Sequence, residues 1–311
     1  MQITEGIRAI CRPPRAIYPI EQLPTTVPVP NYGDVTRHPV EFKNCRGETI
    51  IGSYYPPNEE IENQPCVIYL HGNASCQLEG VFLIPVFVPI GVSVLCIDTS
   101  GSGLSGGDYI SLGLFERDDV LAAISHIREK FNVGKVALWG RSMGASTVFI
   151  SLGSDPTISG AVADSPFSSL EQIIRELAGM FMVPGCLLTP AVWFVKNKIK
   201  KIANFDIYDV EPIKYAKESD APIYIIHGAH DDFIDKEHSK RLYQAYRGED
   251  KKIVICRGHH DTERPMKVQI DAIKFIAGLF DITITENDIP ELIKSADHHF
   301  SSVSEMLTDV E

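Results

Sequence analysis

From residue 66 onward, short apolar runs alternate with stretches of helical spacing, and that alternation leaves few folds open. The runs are 66–70, 92–97, 135–139, 161–163, 223–226 and 253–256. Each is apolar on both faces, which a parallel strand covered by helices on both sides requires. Between them, Val120, Leu121, Ile124, Ile127 and Phe131 recur at helical intervals, as do Val268, Ile273, Ile276 and Phe280. Two β-rich segments, 35–42 and 49–55, precede them and are separated by the turn-like 44–47, giving an antiparallel start to the sheet. The pattern predicts an α/β protein with a mostly parallel, doubly wound sheet over residues 35–282. Residues 1–34 read as an irregular Pro-rich segment and 283–311 as an acidic tail with one short amphipathic piece around Leu292.

A chain of 311 residues can hold one such domain. Acidic residues outnumber basic ones 41 to 29, giving a net charge of −12, and half of that excess lies in 286–311, where seven acidic residues face Lys294 alone. General affinity for phosphate backbones needs clustered Lys and Arg, so nucleic acid is not an expected partner. The seven cysteines are odd in number and irregular in spacing, and Cys66, Cys96 and Cys256 fall inside apolar runs. That usage fits free thiols in a reducing compartment. Residues 1–10 carry Glu5 and Arg8 without a long apolar core, and Gln2 is no myristoylation acceptor, so a cytoplasmic location is expected.

Two stretches, 80–97 and 177–195, run 18 and 19 residues without a charge, which meets the length criterion for a membrane span. Pro85, Pro89 and Gly91 divide the first into a helix, a loop and a buried strand. Pro184-Gly185 and Pro190 break the second into a helical pair, followed by Lys196, Lys198, Lys200 and Lys201.

The chemistry begins directly after the run 135–139, with Gly140-Arg141-Ser142-Met143-Gly144 and the small residues Ala145, Ser146 and Thr147. A serine on a sharp strand-to-helix turn adopts a strained backbone, and glycines two positions to either side let the neighbouring chain pass close. The turn presents the Ser142 hydroxyl as a nucleophile and sets the Met143 amide at a helix N-terminus, where a developing oxyanion is favoured. A nucleophilic serine needs a base, and the base an orienting carboxylate. Two loops at the ends of later runs offer them: His227-Gly228-Ala229-His230-Asp231-Asp232 and Gly258-His259-His260-Asp261. The four imidazoles in these loops fit no familiar zinc spacing, and neither a metal nor a cofactor is expected.

These motifs, with His71-Gly72-Asn73-Ala74 and the Gly-rich 98–107 after earlier runs and Arg264-Pro265 near the end, resemble the α/β-hydrolases. The likeness is to the serine-aminopeptidase-like group, related to monoacylglycerol lipases and protein depalmitoylases. It covers about 35–280. The opening Arg12-Pro13-Pro14-Arg15 with Tyr18 is similar to plant and protist members. The resemblance implies an α/β-hydrolase fold with a helical lid inserted at about 165–213, and Asn73 as the second oxyanion donor beside Met143. Asp231 and Asp232 are adjacent candidates for the acid, as are His259 and His260 for the base. The family pattern selects Asp231 and His259, with His260 where relatives often carry Asn. The glycines 101–107 read as a tight turn and not a phosphate cradle, since no Lys-Ser/Thr follows.

The resemblance and the residues together imply a serine hydrolase acting by acyl transfer on a small-molecule ester, a thioester or an acylated peptide. A serine peptidase and a catalytically silent hydrolase-fold binding protein are the alternatives. Phe181 and Trp193, within the apolar set 180–195 of the lid, are the expected substrate-binding side chains, with ordinary core packing the other reading. The lysines after them read either as a solvated helix face or as a patch for peripheral membrane contact through the lid.

Overall fold

The computed structural model describes Ile7 and residues 10–59, 61–180, 184–285 and 289–294. Its centre is an eight-stranded sheet. Two strands, β1 (Thr26–Val29) and β2 (Gly33–Thr36), form a separate antiparallel ribbon. The main sheet comprises β3 (His38–Lys43), β4 (Thr49–Tyr55), β5 (Cys66–Leu70), β6 (Ser93–Asp98), β7 (Val136–Arg141), β8 (Ile158–Asp164), β9 (Ile223–Gly228) and β10 (Lys251–Cys256). Their order across the sheet is β3-β4-β6-β5-β7-β8-β9-β10. The first two pair antiparallel, β4 also pairs antiparallel with β6, and every later pair is parallel. Pro39 lies in β3, an edge strand, where its missing N–H breaks no central ladder.

Among the described residues the sheet is accompanied by helices α1 (Ile84–Phe87), α2 (Leu114–Phe131), α3 (Met143–Ser154), α4 (Leu170–Met180), α5 (Gly185–Ala203), α6 (Pro212–Ala216), α7 (Glu237–Ala245) and α8 (Met266–Leu279). Alternation along the strands explains why helices cover both faces. Val67, Tyr69, Val94, Cys96, Ala137 and Trp139 point into one apolar cluster, where α8 packs Ala272, Ile273 and Ile276. Their neighbours Ile68, Leu70, Leu95, Ile97, Val136 and Leu138 point into the other, filled by Val120, Ile124 and Ile127 of α2 and Phe149 of α3. Each fully buried side chain of this size contributes roughly 1.5–3 kcal/mol, so neither face can be left open to water.

The N-terminal segment is more ordered than its prolines suggested. Val27 and Val29 alternate inward along β1, and with Tyr18, Leu23 and Val35 they join the cluster under α8. Residues 18–35 are therefore stitched to the body, and the β-rich 35–42 is divided between β2 and β3. In the tail, residues 289–294 are helical, and Ile289 and Ile293 are buried against the same cluster.

The insertion after β8 holds α4 and α5. Pro190 lies within α5, so the helical pair divides before Gly185 and not at Pro190. A third apolar cluster sits beneath it, from Phe167, Leu170, Ile174, Val192, Ile199 and Phe205 with Ile150 of α3. None of the described helices is long and apolar enough to cross a membrane. All seven cysteines are free thiols.

Candidate active site

Ser142 caps the N-terminus of α3 at the end of β7, with φ 54° and ψ −113°. A non-glycine residue at such angles is strained, and the surroundings hold it there. Its N–H donates to the Asp164 carbonyl at 2.8 Å, and its carbonyl accepts from Ser146 N–H at 3.0 Å. The flanking glycines are needed because no side chain fits. A Cβ on Gly140 would lie 2.3 Å from the Gly144 oxygen, and one on Gly144 would lie 2.0 Å from the Leu70 oxygen.

His260 joins the nucleophile to the acid loop. Its Nε2 is 3.0 Å from Ser142 Oγ, and its Nδ1 is 2.8 Å from Asp231 Oδ2. The Asp231 side chain is fully enclosed and the His260 side chain 8% exposed. Asp231 Oδ1 accepts the backbone N–H groups of Phe233 at 3.0 Å and Ile234 at 2.8 Å. Burial alone would raise this carboxyl, but hydrogen bonds from His227, His260 and the Ile234 amide outweigh it and hold Asp231 well below the ordinary carboxylate range. It stays ionised beside the imidazole.

His259, the base expected from the family pattern, is not in this position. Its side chain is 65% exposed and lies 3.9 Å from Asp232, itself 76% exposed. The physical reason is the way the loop is clamped. His259 N–H donates to Thr262 Oγ1 at 2.9 Å, and Arg264 Nη1 takes the His259 carbonyl at 2.7 Å. Arg141 and Arg264 both donate to the His260 carbonyl, each at 3.2 Å. With both carbonyls captured, the first imidazole points to water and the second into the site. Arg264 is itself fixed by Asp164, with Nε 2.9 Å from both carboxylate oxygens.

The two residues expected to bind an oxyanion border the nucleophile. Met143 follows it as the first residue of α3. Asn73 follows Gly72, where a Cβ would lie 3.8 Å from Ser142 Cβ. His71 is fully buried beneath this loop. Its Nε2 accepts the Thr99 N–H at 3.1 Å, so the proton sits on Nδ1 and is donated to the Gly72 carbonyl at 2.7 Å. The Gly-rich turn packs under β6, with Gly103 so close to Asp98 that a Cβ would lie 2.2 Å from its carboxylate.

The remaining expectations divide. Phe181 lies outside the described residues. Trp193 is 63% exposed and Phe194 49%, so neither is enclosed in a pocket wall, whereas the neighbouring Val192 is turned into the core. Of the lysines after them, Lys196 and Lys200 each lie 3.2 Å from Asp206. His227 is buried between Ser239 and the Ile234 carbonyl, and the His230 and His259 rings are 6.0 Å apart. Among the described residues no group of His, Cys, Asp and Glu is arranged to hold a metal ion. Sequence reasoning missed the parts played by Glu79, Arg141 and Asp164. Their contacts span 62 to 120 residues of chain, and no local spacing reveals them.

The strand order, the serine turn after β7 and the acid and base loops after β9 and β10 define a class. The chain has the α/β-hydrolase fold. Residues 62–202 match the family model described as serine aminopeptidase, S33, and residues 195–308 match that of a PhoPQ-activated pathogenicity-related protein. The uncharacterized protein YqkD of Bacillus subtilis is 29% identical over 199 residues, which cover 62% of this chain and 64% of that protein, just under two thirds of its length. Among solved structures, the Pyrococcus furiosus esterase Pf2001 superposes with a TM-score of 0.58 at 18% identity, covering 86% of this chain and 93% of the esterase. The Pyrococcus horikoshii acylaminoacyl peptidase gives 0.61 at 17% identity, covering 83% of this chain and 44% of the peptidase.

Proposed function

We propose that the protein is a serine hydrolase that cleaves a carboxylic ester or thioester through an acyl-enzyme on Ser142. The observation that carries this reading is the unbroken path from Ser142 Oγ through His260 to Asp231, at 3.0 and 2.8 Å. His260 Nε2 takes the Ser142 proton as Oγ attacks the acyl carbonyl. Asp231 holds the tautomer with the proton on Nδ1 and stabilises the imidazolium. The Met143 and Asn73 amides receive the oxyanion, and His260 then returns the proton to the leaving group. Water repeats the attack on the acyl-enzyme with the same base.

An ester or thioester is favoured over an amide because its leaving group departs more readily, so less is asked of the acid step. The exposed Leu187, Trp193 and Phe194 on α5 support a substrate with an apolar acyl group.

The test is labelling with a fluorophosphonate, followed by a panel of matched ester, thioester and amide substrates. Wild-type protein is expected to label at Ser142. Ser142→Ala is expected to lose labelling and about 10⁶-fold in turnover, because the nucleophile acts as a unit with its base. Labelling at another residue, or none in the wild type, contradicts the reading. Faster turnover of the amide than of its matched ester moves the protein to the peptidases.

A further inference from the structure

Glu79 and Arg141 form an ion pair that ties together the loops around the nucleophile without passing through Ser142, His260 or Asp231 side chains. Arg141 is the last residue of β7, and Glu79 lies on the 3-10 turn Gln77–Leu83 that follows the Asn73 loop. Arg141 Nη1 lies 3.3 Å from Glu79 Oε1, while Nη2 donates to Asp261 Oδ1 at 2.6 Å and to the His260 carbonyl at 3.2 Å. On the other side, Glu79 Oε2 accepts the Gly72 N–H at 3.0 Å, and Oε1 accepts the Tyr69 hydroxyl at 2.9 Å. Burial, and then the Glu79 carboxylate, hold the Tyr69 phenol well above its ordinary value, so it remains a donor.

The backbone carrying Glu79 is also fixed in place. Gly80 packs so tightly on Tyr69 that a Cβ there would lie 2.5 Å from the ring. Glu79 and Arg141 are only 17% and 27% exposed, so solvent screens the pair less than a surface salt bridge. The planar guanidinium matters, because one fork reaches Glu79 and the base loop together. A lysine nitrogen is a single point and cannot bridge both.

We propose that Glu79 and Arg141 are positioning residues for hydrolysis, setting the gap between the loop that carries Asn73 and the loop that carries His260. The proposal rests on the serine-hydrolase reading. The acyl carbonyl must be held between oxyanion donors and the nucleophile's base at once, and a 1 Å misplacement of reacting groups costs on the order of 10²-fold in rate.

The experiment uses the full chain, 4-nitrophenyl butyrate for kcat and KM, and a fluorophosphonate for the rate of Ser142 labelling. Glu79→Gln keeps the shape of the side chain but sets an amide N–H₂ among the donors it now accepts from. It is expected to lower kcat and the labelling rate together by about 10- to 100-fold. KM is expected to stay within about threefold, with labelling still at Ser142. Arg141→Lys is expected to give a smaller loss of the same kind. Because the two act as one strut, the double variant should be no slower than the worse single one. Thermal melting reports folding, and Arg141→Lys carries the test if Glu79→Gln does not fold. Folded variants with kcat within twofold of wild type, losses that multiply in the double variant, or a rise in KM alone overturn the proposal. A wild type that does not label at Ser142 overturns the serine-hydrolase reading instead.

Discussion

The corner around Ser142 and the outer side of α5 are built to opposite standards. At the corner, Asp231 is fully enclosed with both carboxylate oxygens engaged, and the His260 carbonyl is held by two arginines. On α5, Leu187, Trp193 and Phe194 stand 54%, 63% and 49% exposed on a helix whose inner side packs Val192, Ile199 and Ala203. Reacting groups must be held to fractions of an ångström, and hydrogen bonds with fixed direction do that. An acyl chain asks only for apolar area, which tolerates loose geometry. Under the proposed function, the chemistry falls to the corner at the strand ends and substrate preference to the insertion.

Exchanges at the acid loop test the tight half through the orientation of the imidazole. Asp231→Asn is expected to lower kcat by about 10⁴-fold, since the amide favours the wrong imidazole tautomer. Asp232→Asn, at an exposed position, is expected to stay near wild type in the same assay. Equal losses at both would mean that loop integrity, and not the Asp231 carboxylate, is being read.

The same variant carries a smaller effect on stability with a defined sign. Asp231 is depressed in the folded protein, so its carboxylate stabilises the fold fully above the unfolded value of about 3.9, and that contribution is lost as the pH falls below it. Chemical denaturation should therefore show Asp231→Asn less stable than wild type at pH 7, with the gap closing below about pH 4. A gap that widens in acid contradicts this assignment.

The loose half predicts the smallest change. If acyl chains lie along α5, Trp193→Ala should weaken long-chain esters more than acetyl esters, each methylene withdrawn from water being worth about 0.8 kcal/mol. Equal losses for both chain lengths would make the exposed aromatics incidental to substrate choice.

Much of this architecture was legible in the chain. Two-sided apolar runs gave the parallel strands, because burial on both faces leaves no polar positions to confuse the period. The Gly140–Gly144 spacing marked the sharp turn at Ser142, since close backbone approach excludes a side chain at either glycine. The acid was readable as one of two neighbours. For the base the family pattern selects His259, whereas the imidazole within reach of Ser142 is that of His260, because adjacent histidines differ only in which way a loop turns. That turn is decided by Arg141 and Arg264, the first of them more than a hundred residues away along the chain. The order in 20–36 was hidden by prolines, which β1 accommodates in a two-stranded ribbon.

The choice between the two histidines is the most direct test of the site. Side-by-side kinetics of His260→Ala and His259→Ala on one ester substrate, with fluorophosphonate labelling as the second readout, should separate them cleanly. His260→Ala is expected to lose about 10⁶-fold in kcat and its labelling, while His259→Ala keeps both within about threefold of wild type. A large loss in His259→Ala with His260→Ala close to wild type would contradict the geometry from which the mechanism is derived.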